Sequence, residues 1–479
     1  MTNKNLTHIV GTFLIQAEGA FLNGSISEKE GKNTITVPKT LREFKDDIPY
    51  VSAQAWRRWL RDTCFEEYND PRTPIETTQS GDGEGESKDK FTTKKVGVAI
   101  DPIEYAEHDI FGYMNSKEGQ GTGGVKATIR SSPFQSSILL SVRKTGWQGE
   151  DKGFVHPQGV AISLYKEALD EVTKDKEKFT SPETLKKIQE LNTILTENIS
   201  REELAKKLLE GLNNLQDEKG KELINNVIRK ITLTVSSSLP YTTRFYNTHL
   251  QGVFGLAYHR IGLYRNAGDR EELEQVLVDK YLKEDKIEKS ILPDKYATIY
   301  ELKDKLIRLS RTEKILKSLA VLRGGAKQAQ FGTDVSPKVL IAAGLSSGNL
   351  IFNDLFEDTK EIVTTPREDK GYEVIESEVI GGTRIKLDAL KQILWDYKDR
   401  LVTPVYVGIR YGYLSKSNEK ELSNWINEKD HLQKWKDCAA IERFKADDTP
   451  QTILCSPIEA VDKLIEEVKN IEKLKPNGN

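Results

Sequence analysis

The chain has 479 residues, 37% of them hydrophobic and 30% charged, with a formal net charge of −3. That length corresponds to two or three domains, or to one domain with large insertions, and can bury a sizeable core. The composition is that of a soluble protein with no apolar run as long as a bilayer span, and the near-neutral total means that any affinity for a polyanion must come from how charge is distributed.

Residues 9–22 are apolar, but Gln16 and Glu18 interrupt them and no small-residue cleavage site follows. A signal peptide is therefore not expected, and the cytoplasm is the expected location. Within this stretch residues 12–22 alternate, with Phe13, Ile15, Ala17 and Phe21 on one side and Thr12, Gln16 and Glu18 on the other, the period of a half-buried strand. A helix follows. Ser52 can cap it, Trp56, Leu60 and Cys64 form an apolar stripe, and Gln54, Arg58 and Arg61 recur on another face with Arg57 beside them. Residues 70–95, rich in Thr, Ser, Gly, Glu and Lys, read as a flexible loop.

Strands are expected at 138–142 and 253–264, with a charged helical insert at 167–230 between them. Inside that insert Ser200 to Glu203 matches a capping box, and Leu204, Leu208, Leu209 and Leu212 follow on one face. A helix over 311–322 is ended by Gly324 and Gly325, and residues 339–343 form the next strand. Residues 388–475 place a strand at 405–410 among helical patterns such as 458–474, giving a C-terminal layer of helices and strands. The core order is thus βαββαβ, an α+β, ferredoxin-like (RRM-like) sheet.

Three cysteines, Cys64, Cys438 and Cys455, are too far apart for a metal-ligand pair and odd in number for a disulfide framework, so reduced, mostly buried thiols are expected. Charge is more informative. Five windows, 48–61, 119–149, 236–268, 315–333 and 403–418, contain no acidic residue yet each holds at least two basic ones. Lys126, Arg130, Arg143 and Lys144 lie in the second, Arg244, Arg260 and Arg265 in the third, and Lys317, Arg323 and Lys327 in the fourth. Buried strands lack acids too, but they should equally lack Lys and Arg. A near-neutral chain can in this way fold with a positive groove.

Catalytic constellations do not emerge. Gly119, Gly121 and Gly124 match a dinucleotide fingerprint in spacing, but no clear strand precedes them and no helix follows. There is no Walker A sequence and no zinc pattern, and none of the six His residues lies in a recognisable motif. His249 and His259, ten apart, suit structural or RNA-stacking roles better than catalysis. No cofactor or metal is expected, and the chain does not read as an enzyme. What remains are groups that bind phosphates without chemistry. Ser52, Gln54, Arg57 and Arg61 cluster near a helix N-terminus, although they also fit a solvated helix face. Gly324 and Gly325 serve either as a helix C-cap or as a point of close backbone approach to a ligand, with Lys327 and Gln328 beside them. Tyr241, Arg244, Phe245 and Tyr246 would suit base stacking, or a core.

The string IPYVSAQAWRRWLR resembles the signature after the first strand of the Cas-seven family of CRISPR RAMP proteins. HDIFGYM with KATIRSSPFQSSILLSV is similar to that family's segment entering its second core strand. THLQGVFGLAYHRIGLY is similar to the strand returning after the thumb, and RGGAKQAQFGTDVSPKVLIAA to the loop and strand after the second core helix. The blocks occur in family order over residues 11–345, about two-thirds of the chain, and GTFLIQAEGAFLNG resembles the DevR-like, type I-B branch. The resemblance implies a palm (1–64, 137–145 and 250–345), fingers (65–136), a thumb (146–249, with the insert 167–230) and a C-terminal layer (346–479). It implies a non-catalytic backbone subunit of a type I Cascade surveillance complex in antiviral defence. Its expected partners are the guide RNA (crRNA), the target DNA strand, neighbouring copies of itself in a helical filament and other Cascade subunits, with no membrane. By the same resemblance Ser52, Gln54, Arg57 and Arg61 contact the guide backbone, with Arg58 in the same set, and Gly324 to Gln328 form a loop near its phosphates.

Two alternatives differ in chemistry. A type III-like backbone subunit cuts target RNA with an aspartate after its first strand, but no Asp precedes Asp46, and only Glu28 and Glu30 offer carboxylates there. A guide-processing ribonuclease would need a His base. His8 is the only His near the first strand, and nothing in the sequence pairs with it.

Overall fold

The computed structural model describes residues 5–23, 26–30, 33–78, 95–116, 127–144, 146–155, 239–268, 270–291, 294–358, 363–366, 372–375, 383–427 and 452–474. The chain is α+β and divides into two compact units, one of residues 1–25, 38–149 and 245–479, the other of residues 26–37 and 150–244.

The larger unit is built on a sheet whose strands are β1 (His8–Ala20), β2 (Thr40–Glu43), β3 (Asp46–Val51), β4 (Leu139–Ser141), β5 (Leu239–Leu256, entering this unit at Phe245), β6 (Val339–Leu345), β7 (Val405–Ile409) and β8 (Thr452–Cys455). They lie in the order β8-β7-β6-β1-β5-β4-β3-β2. Every adjacent pair is antiparallel except β7 with β8. The expected strands β1, β4, β5 and β6 are therefore contiguous, and β1 is central: Phe13 faces Gly252 on β5 and Leu340 on β6.

The described helices are α1 (Ala53–Tyr68), α2 (Ala106–Phe111), α3 (Gln275–Lys283), α4 (Lys305–Ala320), α5 (Gln328–Phe331), α6 (Leu387–Asp396), α7 (Lys416–Asn427) and α8 (Pro457–Leu474). α1, α4 and α8 cover one face of the sheet. Trp56 and Leu60, Ile315 and Leu319, and Leu464 and Val468 pack there against Phe13, Ile15 and Phe254. The other face carries a second core, in which Val10 and Leu14 of β1 meet Phe352, Ile385, Leu390 and Leu394 of the C-terminal layer, and Leu422 and Trp425 of α7.

That second layer changes the reading of the first strand. β1 begins at His8 and its first half is buried on both faces, so half-burial holds only from Gln16 onward. The expected strand over 253–264 also differs. β5 stops at Leu256, a 3-10 turn at Tyr258–Arg260 redirects the chain, and Leu263–Ala267 joins a separate sheet. That sheet also holds Ala127–Arg130 and Tyr113–Ser116, and α3 lies over it with Val278 and Tyr281 against Tyr264 and Leu302. The expected loop at 70–95 opens and closes as a hairpin, Ile75–Thr78 with Lys95–Val98, and its middle lies outside the described residues.

In the smaller unit Ile26–Glu30 and Asn33–Val37 form a hairpin, and the latter runs parallel to residues 241–243 of β5. The expected helical insert at 167–230 lies outside the described residues.

Candidate nucleic-acid interface

Ser52 caps α1 as its sequence suggests. Its backbone is extended and its hydroxyl accepts a 3.4 Å bond from the Ala55 amide. The helix is pinned by Trp56, whose indole donates to Ser137 O at 2.7 Å and whose ring meets Phe13 and Phe134 edge to face. Gln54 and Arg58 point to solvent, and Arg58, 61% exposed, pairs with Asp62 one turn on. Arg57 and Arg61 face α2. Arg57 Nη2 donates to Phe111 O (3.0 Å) and Ser132 Oγ (2.9 Å), Arg61 pairs with Glu107, and both guanidinium groups sit within 6 Å of the Phe111 ring. Burial, then the neighbouring Arg61 charge, lowers the Arg57 pKa. Burial by itself would raise the Glu107 carboxyl, but hydrogen bonds from Thr73 and the Arg61 charge hold it below the ordinary value.

The second candidate segment meets the first. Arg323 N donates to Thr63 Oγ1 of α1 at 3.0 Å, and Gly324 lies flat on Trp59, where an added Cβ would sit 2.3 Å from the indole. Gly324 and Gly325 have φ of +146° and +111°, a region that favours glycine. α4 is already closed by Val321, so these glycines are not its C-cap; the close approach to Trp59 requires the first of them. Ala326 N donates to Leu22 O at 3.1 Å, and Gln328 Nε2 turns back to Gly324 O. Lys327 is left-handed (φ +52°), a strain of about 1–3 kcal/mol that the surroundings must hold, and its Nζ lies 5.1 Å from the Phe21 ring centre. Phe331 of α5 leans on Phe245, ring centres 5.8 Å apart.

The surface so assembled presents Gln54, Arg58, part of Arg61 and the loop around Lys327. Along α1 its positive character ends at Arg61, since Asp62, Glu66 and Glu67 follow and the last two hold Arg323.

Other expected contacts lie elsewhere. Arg130 is fully buried, paired with Asp109 (2.6 Å) and Glu272 (3.1 Å) and bonded to three backbone carbonyls, so it cannot reach a strand on the surface. Arg143 is buried against Asp358 (2.9 Å) and Asn247 O. Both drop out of the candidate surface. Lys144 is exposed and pairs with Glu43 across the β2 edge, while Arg244 belongs to the smaller unit, where it pairs with Glu150. Lys126 lies outside the described residues.

Two clusters escaped the sequence reading. The fully buried Asp109 carboxylate takes Arg130 Nη2 and Arg311 Nη1, each at 2.6 Å, and the Gly262 amide at 2.9 Å, joining four distant segments. The acid-free windows hid it, because Arg130 falls in one of them while Asp109, the carboxylate it folds against, lies outside. His8 does have a partner. His259 lies beside it with ring centres 5.0 Å apart, because β1 begins beside the 3-10 turn that follows β5. Burial, then the charges of His259 and Arg260, lower the His8 imidazole to about 4. His249 is buried against Tyr413. Among the described residues no helix is long and apolar enough to cross a membrane.

No family model and no curated protein matches the chain. Among solved structures it is similar to a chain described as "CRISPR RNA-guided surveillance complex, pre-nicking", at 9% identity and TM-score 0.40, covering 96% of this chain and 99% of that one. It is also similar to one described as "CRISPR RNA-guided surveillance complex", at 9% identity and TM-score 0.35, covering 96% of this chain and 100% of that one.

Proposed function

We propose that the protein binds single-stranded guide RNA through its sugar-phosphate backbone, as a non-catalytic backbone subunit of a type I CRISPR surveillance complex. The observation that carries this reading is the seating of the Gly324–Gln328 loop on Trp59 of α1. Two segments far apart in sequence, each resembling a guide-contacting motif, thereby form one surface with exposed amide, guanidinium and ammonium groups. Such groups contact backbone and carry little base information, which suits a subunit that leaves sequence recognition to guide pairing. The same reading takes the target DNA strand, further copies of the chain and other Cascade subunits as partners, and assigns the chain no nuclease activity of its own.

The test is to purify the protein from its host and sequence any small RNA retained, then to measure binding to unrelated single-stranded RNAs. A uniform guide-sized RNA and near-equal affinities are expected. Absence of retained RNA together with no measurable RNA affinity would overturn the proposal.

A further inference from the structure

The His8–His259 pair sits where β1 begins, at the far end of that strand from the loop that packs on Leu22. The protons on its rings can be assigned from the surroundings. His259 Nδ1 lies 2.9 Å from Thr7 O, a carbonyl that can only accept, so this nitrogen carries its proton. Thr7 Oγ1 donates to Leu345 O at 3.2 Å, and its lone pairs are left to accept from His8 Nδ1 at 2.9 Å. Each imidazole is thus held as the Nδ1–H tautomer with a bare Nε2 lone pair, the arrangement by which metal-binding histidines are oriented.

The ring spacing agrees. Two imidazoles bound through Nε2 to one tetrahedral ion at about 2.0–2.1 Å have ring centres about 5 Å apart; here they are 5.0 Å apart and inclined at 62°. Next to His8 Nε2 the chain has Gly348, at which a Cβ would lie 3.0 Å from that nitrogen, so a side chain here would crowd the atom that must bind. The preceding Ser347 carries a buried hydroxyl with no hydrogen-bond partner.

We propose that His8 and His259 form a two-histidine site for a borderline transition-metal ion such as Zn²⁺ or Ni²⁺. Imidazole nitrogens suit these ions over Mg²⁺ or Ca²⁺. Among the described residues no third His, Cys, Asp or Glu completes a cluster, so the remaining positions go to water or to an exogenous anion and the ion exchanges readily. The Arg260 guanidinium also faces His8; its positive charge opposes the ion but is taken up in part by Glu272 at 3.2 Å. The site is independent of the RNA-binding reading.

The experiment is titration of the RNA-free full-length protein with Zn²⁺ by calorimetry and with Co²⁺ by visible absorption, at neutral pH. The expected result is one saturable site with tetrahedral Co²⁺ bands, lost in both His8→Ala and His259→Ala. Thr7→Val keeps both ligands and removes the acceptor that orients His8, so it should weaken binding about tenfold or more; circular dichroism without metal reports whether each variant is folded. No saturable uptake by the parent protein, or uptake unchanged in both histidine variants, overturns the proposal.

Discussion

Asp109→Asn tests whether the buried charge network holds the larger unit together. The substitution keeps the size and one carbonyl oxygen, but removes the negative charge and turns an amide donor toward guanidinium donors. Arg130 and Arg311 both reach Asp109 at 2.6 Å, and all three side chains are at most 7% exposed. Breaking a buried pair on one side costs about 3–5 kcal/mol, because the remaining charge stays buried. Arg130 retains Glu272, and Arg311 retains the carbonyls of Pro102 and Ile103, which favours the lower end, about 3 kcal/mol. For a cooperative unit as large as this one, at about 2.1 cal/mol/K of unfolding entropy per residue, each kcal/mol lowers Tm by about 1–1.5 °C, so a fall of about 4 °C is expected by calorimetry. Arg58→Ala, in a solvent-exposed pair, is the control and should move stability by no more than about 0.5 kcal/mol. A loss below about 1 kcal/mol for Asp109→Asn would refute the reasoning, since it would mean that water or relaxation compensates the two guanidinium groups.

The other expectations concern the interface and acid stability. With roughly three phosphates neutralised by Arg58, Arg61 and the Lys327 loop, RNA affinity should fall with salt with a log-log slope of about −2 per copy; Lys327→Ala should lower it for all sequences alike and make the slope shallower, and fluorescence anisotropy across a salt series checks both. Gly324→Ala should displace the loop from Trp59 and weaken RNA binding more than it lowers Tm, whereas Arg57→Ala should lower both, because that side chain ties α1 to Phe111 and Ser132. Incubation with RNA and Mg²⁺ or Mn²⁺ should yield no cleavage on a denaturing gel; metal-dependent cleavage lost in Glu28→Ala or Glu30→Ala would favour the nuclease alternative. Burial acts to raise the Asp334 carboxyl, but bonds from Lys338 and Ser336 outweigh it and hold it at about 2, below the ordinary 3.8. The unfolded chain therefore binds more protons between these values, so this contribution is full above about pH 4 and lost as pH falls through about 2. Acid titration of Asp334→Asn should lack that component.

The core order was legible because its signals are local. Alternation in β1, the Ser52 cap, the Trp56 and Leu60 stripe of α1 and the apolar run of β6 each depend on neighbouring residues. What stayed hidden depends on residues far apart. Burial of Thr12 on the face expected to be solvated follows from the second layer and from its hydroxyl bond to Gly252 O on β5. Among the site residues, helical spacing put Gln54 and Arg58 on an outer face correctly, yet it could not tell that Arg57 and Arg61 turn toward α2, whose Glu107 is 46 positions on from Arg61. The glycine pair was read as a choice between a cap and a ligand approach, and the structure adds the indole of Trp59 as a third reason for it.

The central place of β1 also sets a schedule for synthesis. This strand leaves the ribosome well before its neighbours β5 and β6, and β5 is completed only after residue 256. Between the end of β1 and the start of β5 lie roughly 220 residues, and at about 5–20 residues per second the strand waits roughly 10–45 s for its first partner. During that interval an apolar segment with two unpaired edges is exposed, which invites chaperone binding or pairing with another nascent chain. Expression yield should therefore depend on translation rate and chaperone supply more than on the stability of the finished fold.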